Sequence, residues 1–214
     1  MVLFHPLTPF CFKDFVSDFK IQAYVQDLKH HHYETYAHSL RVGIFSLDLG
    51  LKMRQRYLFS DEALRDLCYG GILHDVGKLC IPLEVLTKAG FLDSKERTVI
   101  NGHPRLGFVY LEHLDSLRVQ QIVVMHHEFK REPYPRQGFD RRIQIRLEPE
   151  RRQLDSETLF LAQIVAVSDL YDALSFRREY KDTFDDSTIE SILREQFTGE
   201  PYLIDRVLSQ QGTS

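Results

Sequence analysis

Residues Gly70 to Leu79 read GGILHDVGKL, an apolar helix pattern that ends on an imidazole and a carboxylate side by side, His74 and Asp75. Adjacent polar side chains at such a place either face water or are held by something buried that compensates their desolvation. A bound metal is the strongest such compensation. Away from this stretch, apolar residues also recur at helical spacing through most of the chain. The expected fold is therefore all-α, with helices over 12–28, 34–56, 61–75, 94–102, 104–114, 117–128, 156–175, 187–197 and 201–209. Several starts carry a physical signal. Ser187 with Glu190 reads as a capping box, and Pro104 and Pro201 suit a first helical turn, where the missing N–H costs nothing. KAGFLD at 88–93 reads as a loop.

At 214 residues, 43% hydrophobic and 27% charged, the chain suits a globular domain with a sizeable core. A formal charge of -4 and a pI near 6.2 provide no global attraction to nucleic acid or an anionic membrane, so no DNA, RNA or membrane partner is expected. The opening MVLFHPLTPFCF has no basic leader, and the apolar run LFLAQIVAV at 159–167 is too short to span a bilayer. A cytoplasmic location follows as an expectation. Cys11, Cys68 and Cys80 lack paired spacing and read as reduced, mostly buried thiols rather than a disulfide framework or a thiolate metal site.

One segment departs from the helical period. In RQGFDRRIQIRLEPERRQLD, Arg136 to Asp155, Ile143, Ile145 and Leu147 alternate with Gln144 and Arg146, which fits a short β-hairpin near 140–150. Its arginines, Arg136, Arg141, Arg142, Arg146, Arg151 and Arg152, read first as a solvated charge run and second as a lid over an anionic substrate.

The ten histidines matter according to what helical geometry can bring together. In YETYAHSL, Glu34 and His38 share one helix face. His103 precedes a proline-started helix, His126 and His127 close another in VVMHHEF, and Asp169 lies deep in the apolar pattern LFLAQIVAVSDLYDAL. A carboxylate in the least hydrated helix needs a cation. Imidazole and carboxylate donors without thiolate favour Fe, Mn or Zn over a structural zinc finger. His30, His31 and His32 are expected to face solvent, and His5 and His113 have no ligand context.

These residues carry a resemblance. HSLRV, LHDVGK, NGHPRLG, MHHE and AVSDLYDAL, in that order, resemble the signatures of the HD-domain metal-dependent phosphohydrolases, and specifically of their HD-GYP branch, over about residues 28 to 182. A plain HD domain needs only His38, His74, Asp75 and Asp169; His103, His126 and His127 point to the HD-GYP branch. The resemblance implies a compact helical bundle holding two or three divalent ions, Fe or Mn, on Glu34, His38, His74, Asp75, His103, His126, His127 and Asp169. Glu34 matches a position that serves a third ion. The implied reaction is hydrolysis of a cyclic dinucleotide, typically cyclic di-GMP, to a linear product through a metal-bridging hydroxide, with Asp75 bridging. Lys78 is implied to hold a phosphate oxygen, and Tyr134, Arg178 and Lys181 to contact substrate.

The resemblance weakens after the double histidine. The chain reads HHEFKREPYP, one residue shorter than the family signature, without its Asp-Gly pair and with Pro133 in place of the glycine of its final Gly-Tyr-Pro, of which only Tyr134 and Pro135 are kept. Proline forbids positive φ, so the path of that loop must differ. Two further readings therefore stand: a phosphohydrolase of another nucleotide or phosphate ester, and a catalytically weak dinucleotide-binding signalling module. The organisation expected is an amino-terminal helical segment, 1–27, followed by an HD-GYP-like domain, 28–214, acting alone, as a homodimer or with a signalling partner.

Overall fold

Asp18 opens the first helix. Its carboxylate accepts from the backbone N–H groups of Lys20 and Ile21, and α1 runs Phe19–His31. The computed structural model describes residues 17–131, 155–176 and 184–209. His32 interrupts the helical path and caps the next helix, α2 (Tyr33–Tyr57), by accepting from Thr35 N. Ser60 caps α3 (Asp61–Leu73), which breaks at His74 into a 3₁₀ turn over Val76–Cys80. There follow the short α4 (Leu83–Leu86), α5 (Ser94–Asn101), α6 (His103–Tyr110), α7 (Leu117–Met125), α8 (Ser156–Ser175), α9 (Asp186–Gln196) and α10 (Tyr202–Leu208).

The bundle is built around α8, which packs against α2, α3 and α7. Its apolar face, Leu161, Ile164, Val165 and Val167, meets a core that includes Leu49, Leu67, Ile72 and Ile122. By length and composition α8 could cross a membrane, unlike the shorter apolar run judged from sequence, but 67% of the relevant window is buried inside the fold. It is the core helix of the bundle. Close crossing of α2 and α3 depends on Gly43, where a Cβ would lie 2.5 Å from Ile72 Cγ1. This crossing sets His38 beside His74.

The all-α expectation holds among the described residues, whose β-structure is limited to a single antiparallel bridge between Lys130 and Phe197. Helix ends differ by a few residues from those expected, and three local readings change. Asp185, not Ser187, caps α9, accepting from Thr188 N and from the Ser187 hydroxyl, while Glu190 pairs with Arg194. A true capping box occurs at Asp93 and Glu96. Cys80 is exposed and only Cys68 is buried, whereas Cys11 lies outside the described residues. The expected hairpin and arginine run also lie outside them, except for Asp155, which caps α8.

Candidate metal centre

Three helix ends deliver histidines to one place. His74, His103 and His126 each stand where a helix stops or starts, and each donates Nδ1–H to the carbonyl three residues back: Gly71 at 2.8 Å, Ile100 at 2.8 Å and Val123 at 2.6 Å. That local bond fixes the ring and its tautomer and leaves the Nε2 lone pair pointing inward. His38 is held differently. Its Nδ1 lies 2.6 Å from Asp172 Oδ2, and Arg41 grips the same carboxylate through Nε at 2.6 Å and a terminal nitrogen at 3.0 Å.

The inward atoms converge on two carboxylates. His38 Nε2 lies 3.2 Å from His74 Nε2 and 3.1 Å from Asp169 Oδ1. His103 Nε2 lies 3.2 Å from His126 Nε2 and 3.1 Å from Asp75 Oδ1. The other Asp75 oxygen turns the opposite way, 3.5 Å from His74 Nε2 and 3.8 Å from His38 Nε2. Asp75 thus stands between both halves of the cluster. His127 completes it, with Nδ1 4.0 Å from Asp169 Oδ2.

The donor set fits a cation. With Nδ1 bearing the proton, facing Nε2 lone pairs repel, and a positive ion between them converts repulsion into coordination. Ligands bound at about 2.0–2.2 Å to one ion stand roughly 3–3.5 Å apart, the spacing of these atoms. Donor atoms of three buried groups, His38–His74–Asp75, His74–His126–Asp169 and His103–His126–His127, lie within 4.8 Å of one another in each group. All seven side chains are buried.

Charge at the site is set by burial against pairing. Burial works to neutralise Asp75, but Lys78, His74 and His103 outweigh it and hold the carboxyl well below the usual range. Asp169 behaves likewise, burial being overcome by Lys130 and His38. Burial, reinforced by neighbouring rings, pushes His126 and His127 well below the ordinary histidine value, and it also lowers His74. Neutral imidazoles are the form that binds metal. Burial acts the same way on His38, but hydrogen bonds to Asp169 and Asp172 outweigh it and raise its pKa.

Of the expected site residues, the fold gathers His38, His74, Asp75, His103, His126, His127 and Asp169. Lys78 Nζ lies 2.6 Å from Asp75 Oδ2. Glu34 is half-buried and lines the adjacent cleft but is not in the three groups. Tyr134, Arg178 and Lys181 lie outside the described residues. Of His30, His31 and His32, which were expected to face solvent, only His30 is exposed: His31 Nε2 bonds Ile81 O at 3.1 Å, and His32 caps α2, while His5 lies outside the described residues. His113 is exposed, with Nε2 3.5 Å from Glu112 Oε1.

Three contributors escaped the reading of the sequence. Lys130 Nζ sits 3.1 Å from Asp169 Oδ2, and Asp172 with Arg41 supports His38. Asp75, Asp169 and Asp172 thus each have a cationic partner, in Lys78, Lys130 and Arg41. Asp172 and Arg41 follow Asp169 and His38 by three residues, a same-face helical spacing that was a usable signal. Asp172→Asn keeps the shape but removes the charge behind the His38 ring. Metal affinity is expected to fall about 10–100-fold, read by competition with a chelator while the helical circular dichroism stays unchanged.

The HD domain family model matches residues 35–174, from the turn before His38 to just past Asp169 and Asp172. The chain belongs to the HD-domain family. This HD domain is 32% identical over 152 residues to a cyclic di-GMP phosphodiesterase of Thermotoga maritima, covering 69% of the chain and 36% of that protein. It is 28% identical over 180 residues to 3'3'-cGAMP-specific phosphodiesterase 2 of Vibrio cholerae, covering 82% and 31%. The chain thus spans about a third of the length of these curated relatives. The crystal structure of the L. monocytogenes phosphodiesterase PgpH HD domain superposes with a TM-score of 0.57 at 15% identity, over 88% of this chain and 96% of that one. What is shared there is the fold. The resemblance to HD-GYP phosphodiesterases read from the motifs agrees with these relatives.

Proposed function

We propose that this HD domain is a metal-dependent phosphodiesterase that opens a cyclic dinucleotide, cyclic di-GMP first, to a linear product. The observation that carries the reading is the Nε2 and carboxylate spacing of about 3 Å around Asp75, together with relatives named for that activity. His38, His74, Asp75 and Asp169 would hold one divalent ion, and His103, His126, His127 and Asp75 a second. Imidazole and carboxylate donors suit Fe or Mn. When bound, such ions lower the pKa of water toward neutrality and neutralise charge developing on phosphoryl oxygens.

The chain's own groups do the rest. Asp75, with one oxygen toward each half of the cluster, keeps the two sites in register. Lys78, bonded to Asp75 and lining the cleft, offers its remaining donors to a phosphate oxygen as a point charge. Water oxygen bonds to phosphorus as the bond to the leaving ribose oxygen breaks, and that oxygen takes up a proton. The cleft, about 1150 Å³, exceeds the roughly 300–1,000 Å³ of ordinary small-molecule sites, which supports a ligand of dinucleotide size. Tyr134, Arg178 and Lys181 complete the proposed substrate contacts, and the cytoplasmic setting belongs to the same proposal.

The test is product formation from cyclic di-GMP, 3'3'-cGAMP and cyclic di-AMP, using protein prepared without oxygen and supplied with Fe(II) or Mn(II). Metal-dependent linear product is expected. Metal-loaded protein that yields none from any of the three would overturn the reading in favour of another phosphate ester or a binding module. Glu34 sets the ion count. Glu34→Ala is expected to lower bound metal by one ion per chain, by elemental analysis; an unchanged count would make Glu34 an ordinary cleft carboxylate.

A further inference from the structure

The cleft beside the metal centre has a second wall. Glu34, His38 and Lys78 line it, and so does the loop from Lys88 to Leu92. Phe91, within that loop, is 97% exposed, more than any other large apolar side chain among the described residues. Such exposure gains nothing for folding, because the ring removes no surface from water.

The loop is nevertheless held. Glu96 fastens both ends, receiving Lys88 Nζ at 2.6 and 2.7 Å and Asp93 N at 2.8 Å, while Asp93 accepts from Glu96 N at 2.8 Å. Gly90, at φ 108, takes a left-handed turn that an L side chain rarely adopts. The chain thus carries Phe91 on a tethered loop in the wall of a cleft that reaches His38 and Lys78. Tyr33, 64% exposed in the first turn of α2, lines the same cleft. Exposed aromatic rings beside a phosphate-handling centre are stacking surfaces for bases, because every base has a π-face and stacking removes both faces from water.

We infer that Phe91 is the platform on which a nucleobase of the substrate stacks, with Tyr33 as the second aromatic of that subsite; the nucleotide nature of the ligand rests on the phosphodiesterase reading above. Phe91 touches no ligand of the metal cluster in this role and acts on binding. Its removal therefore separates KM from kcat.

Phe91→Ala is expected to raise KM for cyclic di-GMP about tenfold, with kcat and metal content unchanged. The chain contains no tryptophan, so Phe91→Trp introduces a single fluorophore at the subsite. Its emission is expected to be quenched saturably by GMP and not by ribose 5-phosphate, which has the phosphate and sugar but no base. Equal quenching by the two, or an unchanged KM in Phe91→Ala, would overturn the inference. The two proposals fail separately: active wild-type protein with no quenching in the Phe91→Trp variant removes the subsite alone, whereas quenching by GMP in protein that opens no cyclic dinucleotide removes the reaction alone.

Discussion

Asp75→Ala is expected to abolish turnover, by at least about a thousandfold, and to strip the protein of most of its divalent metal. The reason is its position between the halves of the cluster, 3.1 Å from His103 Nε2 through one oxygen and 3.5 Å from His74 Nε2 through the other. Asp169, the other carboxylate of the cluster, reaches His38 at 3.1 Å but His127 only at 4.0 Å. Without Asp75, Lys78 loses the acceptor that fixes its ammonium, and two groups of converging imidazoles remain without a shared anion. Because Asp75 is buried and its charge is matched by Lys78, alanine also leaves that cation without its partner. Some destabilisation is therefore expected even before metal is added. Asp75→Asn distinguishes the two effects: it retains the shape and much of the stability but still fails to bridge. Elemental analysis and product assays on both variants check this, and turnover at wild-type rate in either would remove Asp75 from the mechanism.

Gly77→Ala is the second large effect, and it acts through the backbone. A Cβ on Gly77 would lie 2.0 Å from His103 O and 2.4 Å from Gly107 N. Neither atom can swing aside as a side chain would, so the 3₁₀ turn and the start of α6 must separate. That separation pulls Asp75 away from His103. Overpacking of this kind is expected to cost roughly 3 kcal/mol, a fall of about 6–12 °C in Tm for a chain of this size. The metal site should suffer unequally, because His38 and His74 sit on the α2–α3 crossing while His103 moves with α6. Calorimetry with metal analysis tests it, and an unchanged Tm would show that the turn yields without cost.

Much of this protein was legible from its residues, because the signals were local. Helical spacing placed the helices, and the seven buried donors were visible as an ordered set of polar residues in apolar patterns. Pro104 marked the start of α6, as its fixed φ and missing N–H require. Capping was less legible, since Ser187 and Asp185 both offer a side-chain oxygen and only the path of the chain decides which stands one residue before the helix.

What the sequence by itself determined was the donor chemistry: imidazoles and carboxylates, no paired thiols, each at a helix end or on an apolar face, and with it the family. Tertiary structure alone decided how those donors divide. The turn of Asp75 toward two histidine groups, the Arg41–Asp172 support behind His38, the Lys130 contact to Asp169 and the display of Phe91 in the cleft all join residues far apart in the chain or depend on a loop's exact path. Spacing along one helix reports which residues share a face. It carries no information on which face of another helix they meet, because that is set by the packing of α2, α3 and α7 around α8.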